Sequence, residues 1–384
     1  MVFIKFLPYG KQHIDENDIK SVLNVLKSDL ITQGPKINEF EEKLAKYCGS
    51  KYAVAFNSGT SSLHGAYFAF GVEKGDEIIT SPNTFVATSN AALYLNANPV
   101  FTDVEKKTGN MDVSKVAGKI NQKTKIIVPV HYSGNPVDLK ELSDIAEEND
   151  IKIIEDAAHS IGAKYNGEKI GNSRYSEMSI FSFHPVKHIT TGEGGAVLTN
   201  NEEYYEKLLM FRSHGITKDH FVNKSDGDWY YEMHHLGFNY RITDIQAVLG
   251  LSQLKKLDKF VQRRREIAKI YDLAFEGNPY FKTIAEKDCC ESSYHLYPIL
   301  IEDEYLDKKK EIFSKLREEG LGVQVHYIPV YLQPYYQKLG YKKYSCPLSE
   351  NFYHREISIP MYPTLSNDDL DFVVKKIFKV FKNL

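Results

Sequence analysis

Two residues in this chain, an aspartate and a lysine, could share one piece of chemistry. Asp156 lies in Ile153-Ile-Glu-Asp-Ala-Ala-His159, at the end of a short apolar run that reads as a buried strand. A carboxylate at the C-terminal end of a parallel strand stands where ligands bind in open α/β sheets, although an aspartate there can equally cap the helix that follows. Lys187, 31 residues on, lies in Phe181-Ser-Phe-His-Pro-Val-Lys-His-Ile-Thr-Thr-Gly-Glu-Gly-Gly195, a turn between apolar runs at 178–183 and 196–199. An unpaired ammonium is expensive to bury. A lysine in such a turn therefore either reaches solvent or gives up its proton and serves as an amine nucleophile that forms Schiff bases. An amine nucleophile together with an acid that keeps a ring nitrogen protonated is the pair that pyridoxal 5'-phosphate requires.

A phosphate needs its own cradle. Asn57-Ser-Gly-Thr-Ser61 falls between an expected strand (52–56) and an expected helix (62–70). Small residues there let backbone amides approach an anion, and the helix N-terminus adds partial positive charge. The plainer use of the same residues is an ordinary N-cap. Neither G-x-x-x-x-G-K-[ST] nor a G-x-G-x-x-G after a strand occurs, which argues against a P-loop or a dinucleotide fingerprint.

The elements that must position these groups alternate. Helices are expected over 15–27 and 37–47. Strands follow over 52–56, 77–80, 99–103, 125–130 and 152–155, with helices over 62–70, 87–95 and 139–149 between them. Near-continuous apolar strands suit a mostly parallel sheet covered on both faces. A helix over 204–210 precedes a polar stretch, 214–232, and the helical pattern of 242–257 runs on through 260–275 as one long linking element. Beyond Gly277, strands at 296–301 and 323–327 alternate with helices at 308–319 and 368–381. The expectation is a large domain over 1–255 and a smaller C-terminal α/β domain over 256–384.

Bulk properties narrow the class. The chain has 384 residues, 42% hydrophobic and 26% charged, which suits a soluble globular protein. A net charge of −3 makes no electrostatic case for nucleic acid or an anionic membrane. Cys48, Cys289, Cys290 and Cys346 lack C-x-x-C spacing, which points to reduced thiols and a cytoplasmic location and gives no zinc or other metal site. The first eight residues are too short and interrupted for a signal peptide, and no apolar run is long enough to span a membrane.

Four ordered motifs, Glu155-Asp-Ala-Ala-His159, Phe181-Ser-Phe-x-x-x-Lys187, Thr191-Gly-Glu-Gly-Gly195 and Gly237-Phe-Asn-Tyr-Arg241, resemble those of the DegT/DnrJ/EryC1/StrS family of pyridoxal-phosphate sugar aminotransferases. The resemblance runs from about Tyr9 to the end of the chain. It implies fold type I, with a mostly parallel seven-stranded sheet and a smaller C-terminal domain, working as a homodimer with active sites at the interface. It implies that Lys187 carries pyridoxal 5'-phosphate as a Schiff base and that Asp156 partners the ring nitrogen. Gly59, Thr60 and Ser182 would hold the phosphate, Phe85 would lie against the ring, and Asn239 would reach across from the other subunit. Many members have Gln where this chain has His159. A histidine there can donate the same hydrogen bond in the right tautomer, with altered pH behaviour expected; a satisfied core histidine is the alternative. His184 and His188 also flank the lysine, but the residue next to Lys187 points away from it, so His188 is expected to be peripheral.

Three further stretches, His184-Pro-Val-Lys-His-Ile-Thr-Thr191, Arg212-Ser-His-Gly-Ile216 and Gly322-Val-Gln-Val-His-Tyr-Ile-Pro-Val330, are similar to one branch of that family. That branch transfers an amino group from L-glutamate to C4 of a UDP-4-keto-6-deoxy-N-acetylhexosamine in pseudaminic acid biosynthesis. The likeness implies a nucleotide-sugar pocket lined by Tyr9, Asp29, Leu30, Ile31, Thr32, His326, Tyr327, Ile328 and Pro329. Another nucleotide-linked keto sugar is the alternative substrate. A ketosugar dehydratase on the same fold would typically carry histidine in place of Lys187. A non-catalytic regulator would be expected to lose Asp156, Lys187 or the phosphate residues, and all are present.

Overall fold

Seven strands form the central sheet: β1 (Tyr52–Phe56), β2 (Glu77–Thr80), β3 (Asn98–Phe101), β4 (Thr124–Val128), β5 (Lys152–Asp156), β6 (Met178–Ser182) and β7 (Gly195–Thr199). This is a computed structural model, and it describes residues 5–219 and 221–384. The spatial order is β1-β7-β6-β5-β4-β2-β3. Every neighbouring pair is parallel except the two that involve β7, which runs antiparallel to β1 and β6. The sheet is the mostly parallel, seven-stranded one expected. It is buried on both faces because the helices of this half, α1 (Glu16–Leu26), α2 (Pro35–Cys48), α3 (Gly59–Phe70), α4 (Ala87–Tyr94), α5 (Leu139–Glu148), α6 (Glu202–Arg212) and α7 (Asp244–Leu254), are layered around it. Alternate strand residues feed the two layers: Val54, Ile78, Ile126 and Ile154 pack in one core, while Ala53, Ala55, Phe181 and Ala196 pack with Phe40 and Leu44 of α2 in the other.

One expected helix is two. α8 (Leu257–Phe275) is separated from α7 at Lys255 and Lys256. Lys256 is drawn aside by the carboxylates of Asp15 (3.0 Å) and Asp18 (2.5 Å) at the start of α1. The new direction lets Leu257, Phe260 and Val261 pack in the main core, while Ile267, Tyr271 and Phe275 pack in a second one. That second core is built on a three-stranded antiparallel sheet of β8 (Phe281–Thr283), β9 (Tyr297–Ile301) and β10 (Glu356–Ile359), with β9 central. Around it lie α9 (Lys309–Glu318), α11 (Pro347–Arg355) and α12 (Asn367–Lys382), while α10 (Pro334–Lys338) packs Tyr336 with Phe101 of β3 at the edge of the main sheet.

The strand expected over 323–327 does not form. Gln324 alone pairs with Ser358 of β10, and the next ladder donor, the His326 amide, is taken at 2.7 Å by the Glu356 side chain. The segment instead meets the loop after β2, where Tyr327 N–H donates to Asn83 Oδ1 (3.2 Å) and Val330 N–H to the Pro82 carbonyl (3.1 Å). The N-terminal segment is tied to the same region: Leu7–Pro8 pairs in parallel with Leu321–Gly322, and the Tyr9 carbonyl accepts from the Met361 amide at 2.9 Å. Among the described residues no helix is long and apolar enough to cross a membrane, and no group of three or more His, Cys, Asp or Glu could hold a metal ion.

Candidate active site

The C-terminal ends of β1, β2, β5 and β6 open into a cavity of about 750 Å³. Its wall includes Tyr9, Gly59, Thr60, Phe85, Asp156, His159, Ser182, Lys187, His326, Tyr327 and Ile328. These come from both halves of the chain.

Asp156 ends β5, and period-two alternation turns its carboxylate to the opposite face from that of Glu155. Glu155 is locked in a buried network: His131 Nε2 lies 2.8 Å away, Ser179 Oγ donates at 2.9 Å, and Ser176 also donates. Burial alone would raise its pKa, but these hydrogen bonds and the imidazole reverse the sign and hold it below the usual range. Asp156 has no charged hydrogen-bond partner among the described residues. It accepts from two neutral donors, Thr88 Oγ1 at 2.6 Å and the Ala158 amide at 3.2 Å, and burial leaves its pKa raised. A desolvated carboxylate in this state favours a cationic hydrogen-bond donor.

Lys187 sits in a loop pinned at its base. Phe183 N–H donates to Gly194 O (2.9 Å), Thr191 N–H to Phe183 O (3.1 Å) and Gln246 Nε2 to Glu193 O (2.8 Å). Gly192 turns the chain with φ +82°, a conformation that favours glycine. Burial lowers the Lys187 pKa to about 7, with Asp156 pulling the other way. The side chain is half-buried at the cavity wall. Its neighbour His188 is turned away and bound through Nε2 to the Ser293 carbonyl at 2.9 Å.

The cradle at the head of α3 leaves no spare room. Ser58 caps the helix with a reciprocal Ser58–Ser61 box. A Cβ on Gly59 would stand 3.0 Å from Ser182 Cβ, and one on Gly195 would stand 2.6 Å from the Ser58 carbonyl. The helix N-terminus, Thr60 and the Ser182 hydroxyl thus converge on one corner of the cavity, a geometry suited to a phosphate dianion.

His159 is buried, with Nε2 at 3.0 Å from the Tyr327 hydroxyl and Nδ1 without a partner among the described residues. Burial, with the charge of Lys187, holds its pKa well below the ordinary value, so the ring is neutral at working pH. The altered pH behaviour expected of a histidine here does not arise from its own titration near neutrality. The His295 ring lies against it at 4.3 Å.

Several expected residues stand apart from this cavity within one chain. Asn239 is exposed beside Ser213, and its carbonyl accepts from Asn57 at 3.4 Å. Asp29 and Leu30 border a separate groove between α1, α2 and α7. The Ile31 carbonyl accepts from Asp244 N–H, and Thr32 pairs with Thr243. Pro329 is buried behind the exposed Ile328. Conversely, two cavity residues carry no signal that spacing alone reveals. Thr88 is the direct partner of Asp156, and its hydroxyl also lies 2.7 Å from that of Thr84. His295 follows no recognisable motif.

Residues 12–378 match the DegT/DnrJ/EryC1/StrS aminotransferase family. The chain is 43% identical over 381 residues to the UDP-4-amino-4,6-dideoxy-N-acetyl-beta-L-altrosamine transaminase of Campylobacter jejuni serotype O:2, with 98% of each chain covered. Among solved structures it is similar to Helicobacter pylori PseC, an aminotransferase involved in the biosynthesis of pseudoaminic acid, with TM-score 0.93 and 38% identity over 99% of this chain and 100% of that one. It is also similar to the PMP-form of the putative sugar aminotransferase Spr1654 from Streptococcus pneumoniae, with TM-score 0.93 and 30% identity over 98% of both chains. A full-length family match and relatives at this identity, over a cavity that pairs a lysine amine with a buried aspartate, settle the assignment: the chain belongs to the DegT/DnrJ/EryC1/StrS aminotransferase family.

Proposed function

We propose that the protein transfers the amino group of L-glutamate to C4 of UDP-2-acetamido-2,6-dideoxy-β-L-arabino-hex-4-ulose, forming UDP-4-amino-4,6-dideoxy-N-acetyl-β-L-altrosamine, with pyridoxal 5'-phosphate as cofactor. The observation that carries the reading is the placing of Lys187, Asp156 and the α3 cradle around one cavity. The names of the relatives support the choice of sugar.

The residues fit the cofactor in three respects. Asp156 is a buried carboxylate held by neutral donors only, His159 Nδ1 is a buried nitrogen without a partner, and the Gly59–Ser182 corner has no room for a Cβ. Bound there, pyridoxal 5'-phosphate would supply a conjugated ring able to take up an electron pair. Asp156 would hold the proton on the ring nitrogen, and His159 Nδ1–H would face the ring oxygen. Gly59, Thr60 and Ser182 would hold the phosphate, and Phe85 would cover one face. Lys187 Nζ, with its pKa near 7, spends much of its time as a free amine. It would take the proton from the α-carbon of glutamate and, in the return half-reaction, deliver one to C4 of the sugar. Tyr9, His326, Tyr327 and Ile328 would meet the sugar nucleotide.

The sites are proposed to be completed in a homodimer. Ile19, Leu23 and Leu26 of α1, Leu30 and Ile31 after it, and Val222, Trp229, Met233 and Leu236 in the stretch between α6 and α7 are exposed apolar side chains on one chain. Apolar exposure of this kind marks an interaction surface. It adjoins the segments that carry Asn239 and 29–32, and a second copy would bring those residues to a cavity they do not reach in their own chain.

The test is direct. Purified protein supplied with L-[15N]glutamate should label C4 of the UDP-4-keto sugar of this configuration and not that of its C5 epimer, read by mass and NMR of the product. Amination of the epimer alone, or of a dTDP- or GDP-linked sugar alone, would replace this substrate with the other. Release of 2-oxoglutarate with none of these sugars as acceptor would remove the sugar assignment altogether.

A further inference from the structure

A buried polar chain runs from the second sheet into the cavity. Glu356 and Ser358 are i and i+2 on β10, so both side chains leave the same face of the strand. Both are fully buried. Facing them is the irregular segment that carries His326. Glu356 Oε2 accepts the His326 backbone N–H at 2.7 Å, and Glu356 Oε1 accepts the Ser358 hydroxyl at 2.5 Å. The Ser358 Oγ lies 2.8 Å from His326 Nδ1. Nε2 of the same ring has no partner among the described residues, and His326 lines the cavity. A carboxylate, a hydroxyl and an imidazole are thus in series, with one end sealed in protein and the other open to the site.

We propose that Glu356 and Ser358 are positioning residues that set which tautomer His326 presents to the cavity, and that the three groups form a relay for a single proton. The hydrogens can be counted. With Glu356 ionised, the lone Ser358 hydrogen goes to Oε1, so Oγ can only accept, and His326 must carry its hydrogen on Nδ1. Nε2 then offers a lone pair to the cavity. When Nε2 takes a proton from the cavity, Nδ1 passes its hydrogen to Ser358 Oγ, and the serine passes its own to Glu356 Oε1. The glutamate becomes a neutral acid, the ring stays neutral, and Nε2–H becomes a donor. One proton enters and one O–H bond is formed at Glu356, with no charge left on the imidazole.

The surroundings agree with a switch of tautomer and not of charge. Burial, with the charge of Lys187 across the cavity, drives the His326 pKa down to about 3, so the ring does not become a cation near neutral pH. Burial pushes the Glu356 carboxyl well up, against the pull of Ser358, the His326 amide and the Lys309 ammonium on α9, so the glutamate can take a proton near neutrality. The other groups near the chain are the neutral His159 ring, on the same cavity wall, and three phenols. Tyr132 donates to the His326 carbonyl at 2.8 Å, Tyr9 has its ring 5.2 Å from the imidazole, and Tyr327 is adjacent, all three with raised pKa values and therefore protonated. That Nε2 meets the nucleotide sugar rests on the function proposed above; the relay itself does not.

The experiment uses the full chain with 15N-labelled histidine, following the two His326 ring nitrogens by long-range 1H–15N spectra across neutral pH, with His326→Gln to assign the signal. The wild type should pass from the Nε2–H to the Nδ1–H tautomer as pH rises. In Glu356→Gln the amide oxygen must accept the His326 N–H, so its NH2 donates to Ser358 and fixes the Nε2–H form at every pH. Ser358→Ala, which removes one hydroxyl and keeps the strand, should abolish the pH response. A wild-type tautomer that does not move with pH, or a response that survives in Ser358→Ala, overturns the relay. Glu356→Gln should also change KM for the UDP-keto sugar by about 3- to 10-fold, the worth of one neutral hydrogen bond, and leave the glutamate half-reaction alone. A fixed tautomer with unchanged KM would remove the sugar contact while the relay stands. A working relay in a protein that aminates no sugar would instead remove the function.

Discussion

Burial acts in opposite senses on the two groups at the heart of the cavity. It drives the Lys187 ammonium towards a neutral amine and the Asp156 carboxylate towards a neutral acid, and each is the counter-charge that partly restrains the other. In cofactor-free protein, Lys187 should therefore react with an amine-acylating reagent with a midpoint near pH 7, whereas an ordinary lysine does so above about 10. Peptide mapping of the label against pH checks this; a midpoint near 10 would mean an ammonium left in solvent. Asp156 is the residue whose charge must survive for a ring nitrogen to stay protonated. Asp156→Asn keeps the shape and the Thr88 contact but loses that charge, so turnover should fall by about 100- to 10,000-fold while the far-ultraviolet circular dichroism stays unchanged. Single-turnover kinetics with glutamate would show it, and a variant as fast as the wild type would place the acid elsewhere. These two residues were legible in the sequence because strand ends flank both. Thr88 and His295 were not, since a hydroxyl supporting a carboxylate and an imidazole packed against another leave no periodic trace.

At the level of elements, the strands and helices of the main sheet follow their apolar periods closely. Two departures occur where side-chain contacts redirect the chain. The break between α7 and α8 comes where Lys256 turns to Asp15 and Asp18. The missing strand over 323–327 comes where Glu356 captures the His326 amide. Asp15, Asp18 and Glu356 are all far in sequence from the backbone they redirect, so no local window could show the effect. α8 is the element that joins the two cores, and Arg264 in its middle is fully buried with no carboxylate partner among the described residues. Its Nη1 donates to the carbonyls of Tyr294 (3.1 Å), His295 (3.2 Å) and Met361 (2.9 Å), while burial lowers its pKa to about 9. Arg264→Ala would leave three carbonyls without their donor and should destabilise the protein by about 1–3 kcal/mol for each one left unpaired. A urea midpoint left where it was in the wild type would show those carbonyls to be satisfied otherwise.

For the whole molecule, one chain contains the lysine, the aspartate and the cradle but holds Asn239 and residues 29–32 away from them. If a second copy supplies these, subunits of Lys187→Ala and Asn239→Ala, each inactive as a homodimer, should regain about a quarter of native turnover when allowed to exchange, half of the mixed dimer's sites being intact in a random mixture. Exchange would be verified by native mass spectrometry of differently tagged subunits, and no recovery after exchange would confine the site to one chain. The pairing of Leu7–Pro8 with Leu321–Gly322, together with the bond from Met361 to Tyr9, has a consequence of a different kind. A ribosome releases Tyr9 near the beginning of synthesis and Met361 near its end. At roughly 5–20 residues per second, the first wall of the cavity waits on the order of 20–70 seconds for the last. The main sheet can form while the chain is still being made, but the pocket it serves is closed only once translation is nearly complete, which keeps a half-built site with a reactive lysine from being finished before the rest of the enzyme exists.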